Sequence, residues 1–270
     1  MKRLALPLLA LLAACNQETG GEPVTRINLE NPGLSEPPVP TPTPTVASAC
    51  QTVTFEDAQL TDCVADPAKH RITTMLGNPP YRSFKAYAAA RPADAPKVAF
   101  AMNAGMFDDA GKPIGYYVRG GERGHELNRN DGAGNFHMKP NGVFFGSGSK
   151  WRVMTADAFY SQVGDRPDFG TQSGPMLVVD GKLHPEITDD GPSKAIRNGV
   201  GVDGAGRAHF VISEGAVSFG KLARYFRDVV KAQSALYLDG SVSALWDPAT
   251  GRMDARAPIG PMVVVEEKAQ

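Results

Sequence analysis

Short apolar runs, each bounded by turn residues, dominate the chain beyond residue 50. They fall at 52–55, 71–76, 97–102, 115–119, 142–145, 151–154, 175–179, 199–203, 208–213, 235–238 and 261–265. Their length suits strands and is too short for packed helices. Asp180-Gly181, between Met176-Leu-Val-Val179 and Lys182-Leu183, predicts a tight hairpin. Asp203-Gly204-Ala-Gly206 predicts another. Helical spacing is scarcer and clearest over 219–232. There Leu222, Tyr225, Phe226, Val229 and Val230 share one face, while Lys221, Arg224 and Arg227 point elsewhere. Ser218 is the expected N-cap, and Lys231 suits the negative end of the helix dipole. Shorter helices are expected at 83–90 and 156–162. The fold class that follows is α+β: a single domain over 49–270, with mixed β-sheets of many short strands flanked by a few helices. That span is long enough to bury a full core.

The N-terminal region has a different composition. Residues 1–15 read as a lipoprotein signal peptide. Lys2 and Arg3 open it, an apolar run over 4–12 follows, and Leu12-Ala13-Ala14-Cys15 closes it. Cys15 is the expected lipidation site, which ties the protein to a membrane through acyl chains. Asn16 gives no signal for inner-membrane retention, so the expected place is the outer membrane of a bacterial envelope, facing the periplasm. Residues 16–48 read as a disordered tether rich in proline, with Pro-Val-Pro-Thr-Pro-Thr-Pro-Thr favouring extended polyproline geometry. With Cys15 lipidated, Cys50 and Cys63 remain as a pair that an oxidising compartment would join.

The chain holds 28 Lys and Arg against 29 Asp and Glu, with no basic stripe, so nucleic acid is not an expected partner. It has no G-x-S-x-G elbow, no phosphate-binding Walker loop and no H-E-x-x-H, and no cysteine–histidine cluster points to zinc. Asp131-Gly-Ala-Gly-Asn135 lacks the ligand ladder of a calcium loop and reads as a turn.

Five corners carry the candidate chemistry: Asn103-Ala-Gly-Met-Phe107, Lys139-Pro-Asn-Gly-Val-Phe-Phe145, Thr171-Gln-Ser-Gly-Pro175, Ile196-Arg-Asn-Gly-Val200 and Leu238-Asp-Gly-Ser-Val-Ser243. A polar residue beside glycine at a strand end projects where backbone is open to close approach. Two carboxylates directly follow strands: Glu214 after His209-Phe-Val-Ile-Ser213 and Asp239 after Ala235-Leu-Tyr-Leu238. If these strands are parallel neighbours, both emerge at one sheet edge as the carboxylate pair that glycosidic cleavage uses. A phosphate leaving group departs as an anion and relaxes the need for a strong acid. Arg197 and Lys139 are the cations to neutralise it. Turn or capping duty is the ordinary alternative for either carboxylate.

In series, these corners resemble the phosphodiester glycosidase family, over roughly 99–265, and most closely a bacterial branch related to exopolysaccharide biosynthesis. The resemblance implies hydrolysis of a sugar joined through its anomeric oxygen to a phosphodiester. It places Asn103 and Gly105 in the site, with Ser173 and Gly174, Arg197, and Asp239, Gly240 and Ser243. Catalytic candidates are Asp239 and Glu214. Substrate-binding candidates are Asn103, Gly105, Lys139, Asn141, Gln172, Ser173, Gly174, Arg197, Gly240, Ser241 and Ser243. Ala104, Met106, Ser241 and Val242 depart from the family pattern. The departures keep open a second reading, a non-catalytic lipoprotein that binds glycan or exopolysaccharide. Asp239 with neighbouring oxygens is the donor type for a divalent cation, yet no ligand spacing requires one.

Overall fold

The structure is a computed structural model and describes residues 47–269. The signal peptide, Cys15 and nearly all of the proline-rich segment lie outside the described residues.

The apolar runs form three sheets. The largest has seven strands, in the order Cys50–Phe55, Ala58–Ala65, Ala208–Ser213, Asn198–Val202, Ala235–Asp239, Met176–Val179 and Lys182–Leu183. The second has five: Arg252–Met253, Leu245–Asp247, Val98–Asn103, Met262–Glu267 and His70–Met75. The third also has five: Glu122–His125, Tyr117–Arg119, Phe169–Ser173, Gly142–Ser147 and Lys150–Thr155. A short ribbon pairs Lys194–Ala195 with Val217–Ser218.

One interior is shared by all three sheets. Phe210, Ile212, Leu236 and Leu238 enter it from the first, Phe100, Met102, Val263 and Val265 from the second, and Phe144, Val153 and Phe169 from the third. Each sheet's other face meets one short helix: α1 (Phe84–Ala90), α2 (Ala156–Gln162) or α3 (Phe219–Arg224). Phe84 of α1 packs on Ala101 and Val264 of the second sheet. Phe159 of α2 packs on Val143 and Phe145 of the third, and Leu222 of α3 on Val178 and Tyr237 of the first. Central strands are thus covered on both sides, which is why Met262–Glu267 reads as an unbroken apolar run until its end.

Two expectations need correction. The sheets are not mixed: every pairing among the described residues is antiparallel. The strands carrying Glu214 and Asp239 do run in the same direction, but Asn198–Val202 lies between them, antiparallel to both. The long helix is also shorter than its apolar spacing suggests. After Arg224 it widens into a π-turn over Tyr225–Val229, with Val230 N–H donating to Tyr225 O at 3.2 Å, and Lys231 takes a left-handed φ of 58° that ends it. The wider turn shifts the angular phase, so Val229 is 51 % exposed while Leu222, Tyr225, Phe226 and Val230 are buried.

Other local readings hold. Ser218 caps α3, its hydroxyl accepting from Lys221 N–H at 3.1 Å. Asp180 and Gly181 both have positive φ, as a two-residue hairpin turn of this hand demands. Cys50 and Cys63 face each other across an antiparallel pair and are joined as a disulfide.

Candidate active site

Four of the five corners meet where the three sheets join. Asn103 ends its strand in the second sheet, and its Oδ1 accepts from Asn198 Nδ2 of the first at 2.7 Å and from Ala244 N–H at 2.8 Å. Asn198 Oδ1 in turn accepts from Asp239 N–H at 3.0 Å. Ser243 Oγ donates to Asp239 O at 2.8 Å. Ser173, from the third sheet, donates to Leu238 O at 2.7 Å, and Gly105 N–H donates to Thr171 Oγ1 at 3.0 Å. A Cβ on Gly105 would lie 1.9 Å from Gln172 O, so the chain passes the third sheet too closely for any side chain. These groups are buried and mutually satisfied. Asn103, Gly105, Ser173 and Ser243 are therefore braces between sheets.

Four of the sequence candidates are committed to other contacts. Gln172 Oε1 accepts from Tyr116 and Asn128 N–H, both at 2.9 Å, and its Nε2 donates to Asn128 O at 2.6 Å. Its amide anchors the 116–128 segment and is not free for substrate. Asn141 Nδ2 donates to Phe136 O at 2.8 Å, and a Cβ on Gly174 would lie 2.6 Å from the same carbonyl, so both serve that local packing. Lys139 is ion-paired with Asp131 and donates to Arg129 O at 3.2 Å, so its ammonium is committed to its own loop.

Glu214 is also placed elsewhere. Its Oε1 accepts from Thr61 Oγ1 and from Arg252 Nη1, each at 2.6 Å. Across the ladder Asp239 is opposite Asn198, and Asn198 opposite Ile212, so the two carboxylate-bearing strands stand about 10 Å apart, two strand spacings. The expected carboxylate pair is not formed, because an intervening strand separates the two positions and Arg252 neutralises one of them.

What remains is Arg197 with Asp239. Arg197 shares strand parity with Gly199 and Gly201, whose missing side chains let Phe226 press on the sheet from the α3 side. Its guanidinium is 2 % exposed. Nε donates to Val217 O at 3.0 Å, Nη1 to Tyr237 Oη at 3.0 Å, and Nη2 to Ser193 O and Oγ, both at 2.9 Å. The Phe219 ring lies 3.6 Å from its centre. A buried charge costs several kcal/mol to desolvate. Four charge-assisted hydrogen bonds, at about 1.5–3 kcal/mol each, are enough to offset that. Among the described residues no carboxylate pairs with this cation, and one of its five N–H groups, on Nη1, is left over.

Gly240 lies against that end. A Cβ there would sit 1.8 Å from Tyr237 Oη and 3.3 Å from Arg197 Nη1. Asp239, beside it, is 7 % exposed. Its Oδ1 accepts from Gly240 N–H at 2.6 Å and Ser241 N–H at 2.9 Å, with no cation paired to it among the described residues. Burial pushes its carboxyl above the usual range, and the N–H groups of Ser241, Gly240 and Val242 only partly oppose that. Ser241 is exposed and Gly240 half-buried, so this turn is where the site reaches the surface. Met106 and Phe219 pack in the same cluster as Tyr237 and supply an apolar wall.

A profile of the phosphodiester glycosidase family matches residues 96–266. The chain belongs to this family. The YigE protein of Escherichia coli (strain K12) is 36 % identical over 172 residues, 64 % of this chain and 67 % of that one. In fold, the chain is similar to the catalytic domain of zebrafish N-acetylglucosamine-1-phosphodiester alpha-N-acetylglucosaminidase auto-inhibited by its pro-peptide. The TM-score is 0.53 at 14 % identity, over 81 % of this chain and 82 % of that one. A Synechocystis protein is similar with a TM-score of 0.50 at 15 % identity, over 81 % of this chain and 61 % of that one.

The matched span contains Asn103, Arg197 and Asp239 but not the disulfide pair. Sequence reasoning missed Tyr237, Asn198 and Ser193. Tyr237 stood in the run that leads into Asp239, two residues before it. Asn198 stood in a corner already singled out. Ser193 gave no signal. No group of three or more His, Cys, Asp or Glu among the described residues is arranged to hold a metal ion.

Proposed function

We propose that this protein hydrolyses a glycosyl-1-phosphodiester, releasing the sugar from a phosphate-linked group, as a lipid-anchored enzyme of a bacterial envelope. The observation that carries the reading is a buried guanidinium without a carboxylate partner, beside a buried carboxylate without a cation. An anionic group on the substrate would complete the first. The reacting carbon would meet the second.

In this reading the phosphodiester reaches the free Nη1 N–H of Arg197 over the Gly240–Ser241 turn, where the site meets the surface. The Asp239 carboxylate acts at the anomeric carbon either directly, forming a glycosyl ester that water cleaves in a second step to free sugar and regenerated carboxylate, or by taking a proton from the water that attacks that carbon. The bond between that carbon and the phosphate oxygen breaks, the electron pair leaves with the phosphate, and Arg197 holds the resulting charge. Phosphate leaves without being protonated, so the reaction does not depend on Glu214. The raised pKa of Asp239 makes its ionised form the stronger base and nucleophile. Which of the two it is can be read from the product anomer: retention for direct attack, inversion for activated water.

The test uses purified full chain and a set of glycosyl-1-phosphodiesters, with free sugar as the readout. Turnover is expected, falling by about 10²–10⁴-fold in Asp239→Asn and little changed in Glu214→Gln. Full activity in Asp239→Asn would overturn the assignment. Saturable glycan binding with no turnover would favour the non-catalytic reading, to which the side chains at Ala104, Met106, Ser241 and Val242 lend support.

A further inference from the structure

Two clefts on the outer face of the third sheet are not used by the Asp239 site. One, of about 510 Å³, lies beside α2 and is walled by Tyr116, Phe159 and Tyr160 with Arg123, Arg129 and Arg166. The other, of about 610 Å³, lies along the edge strand, against Phe145 and Trp151 with Lys150 and Arg152. Both are bounded by Val163, Asp165 and Arg166, so they adjoin around that segment and make one extended surface.

The sequence builds this surface by alternation. In Lys150–Thr155, Trp151 and Val153 turn inward, and Lys150 and Arg152 face solvent. Arg152 lies opposite Phe145 in the ladder, its guanidinium 5.0 Å from that ring's centre. Arg129 stacks on Tyr160 at 4.2 Å and leaves that residue 65 % exposed. Gln172 holds the opposite wall through Tyr116 and Asn128.

The charge is one-sided. The two clefts present five cations against Glu126 and Asp165, on a chain with 28 Lys and Arg against 29 Asp and Glu. Arg123 is paired with Glu126 at 3.0 Å and Arg129 with Asp157 at 3.1 Å. Lys150, Arg152 and Arg166 have no ion-pair partner among the described residues.

We propose that this surface is a second binding site, for an acidic polysaccharide that carries carboxylate or phosphate groups along its sugar backbone. The three unpaired cations meet the anionic groups. Tyr160, the exposed aromatic of these walls, offers the ring face that Arg129 leaves open to the apolar face of a sugar, and Glu126 and Asp165 accept from hydroxyls between the charges. Those carboxylates also repel an unbroken run of phosphates, which disfavours nucleic acid. The choice of polymer rests on the glycan reading above. The geometry of the surface does not.

Binding of the full chain to polygalacturonate and to a phosphorylated mannan tests this, with dextran and single-stranded DNA as controls. Wild-type protein is expected to bind at least one acidic polymer and not dextran. Tyr160→Ser combined with Arg166→Ala, and separately Lys150→Ala combined with Arg152→Ala, should each weaken binding at least tenfold. Both double variants should still hydrolyse a small phosphodiester substrate. Asp239→Asn should bind the polymer like wild type, so a failure of the catalytic reading leaves this result standing. Three outcomes overturn the proposal: neither acidic polymer binds, the double variants bind unchanged with native circular dichroism, or DNA binds as tightly as the polysaccharide.

Discussion

At the scale of single residues, the site is a place where stability and chemistry are opposed. Asp239 is ionised at a cost because burial disfavours its charge. Its folded pKa is above the unfolded value, so its contribution to stability is fully present below the unfolded pKa, near 3.8, and is lost as pH rises through the folded pKa. Asp239→Asn removes the titration. Its melting temperature relative to wild type is expected to climb as pH rises from acid to neutral, while activity is lost. Parallel melting curves at every pH would contradict this. Gly240 gives a second handle. In Gly240→Ala the new methyl would meet Tyr237 Oη, which cannot withdraw without breaking its bond to Arg197. Gly240→Ala is expected to lower the melting temperature, and adding Tyr237→Phe, which deletes the obstructing oxygen, should recover part of that loss. A double variant less stable than the single one would show that the contact is not the cause.

Between elements, side-chain amides and hydroxyls do the joining. Asn103 Oδ1 is the meeting point of a strand in the second sheet, a strand in the first and the Ala244 N–H. Asn103→Ala would leave two buried donors without an acceptor. A loss of roughly 1–3 kcal/mol is expected in urea unfolding. The slope of the transition should not change, since the folded surface does not. An unchanged midpoint would mean that water replaces the amide. The π-turn after α3 works in the same way on a smaller scale. It lets Tyr225 reach Asp62 at 3.0 Å while Phe226 stays on the glycine-lined strand.

For the whole molecule, the first sheet carries a titrating group far in sequence from its partner. His209 Nδ1 lies 2.9 Å from Asp62 Oδ2, and its Nε2 lies 3.4 Å from Asp203. Burial works to lower its pKa, but the hydrogen bond and charge of Asp62, with Asp203 behind them, outweigh burial and hold it above the usual value. Stability from this pairing is complete below the unfolded pKa, near 6.5, and is lost as pH rises through the folded pKa. His209→Gln should flatten the fall in melting temperature as pH rises above about 6.5. An unaltered profile would place the titration elsewhere. Much of the architecture was legible without coordinates. Strand runs, three helix positions, the Ser218 cap, the Asp180-Gly181 turn and the cysteine pair follow from local pattern, because backbone sterics, side-chain alternation and capping act over a few residues. The partners of polar side chains are different. Asn103 and Asn198 are 95 residues apart, and Glu214 and Arg252 are 38 apart. Glycine-flanked strand ends and the family resemblance placed Asn103, Gln172, Glu214, Arg197 and Asp239 together as site candidates. Only packing decided that the first two brace the sheets and loops, that Glu214 is neutralised by Arg252, and that Arg197 and Asp239 stay buried and unpaired. A polar group's reactivity depends on which hydrogen bonds and charges are left unmet, and that balance is set by contacts that exist only once the sheets have closed.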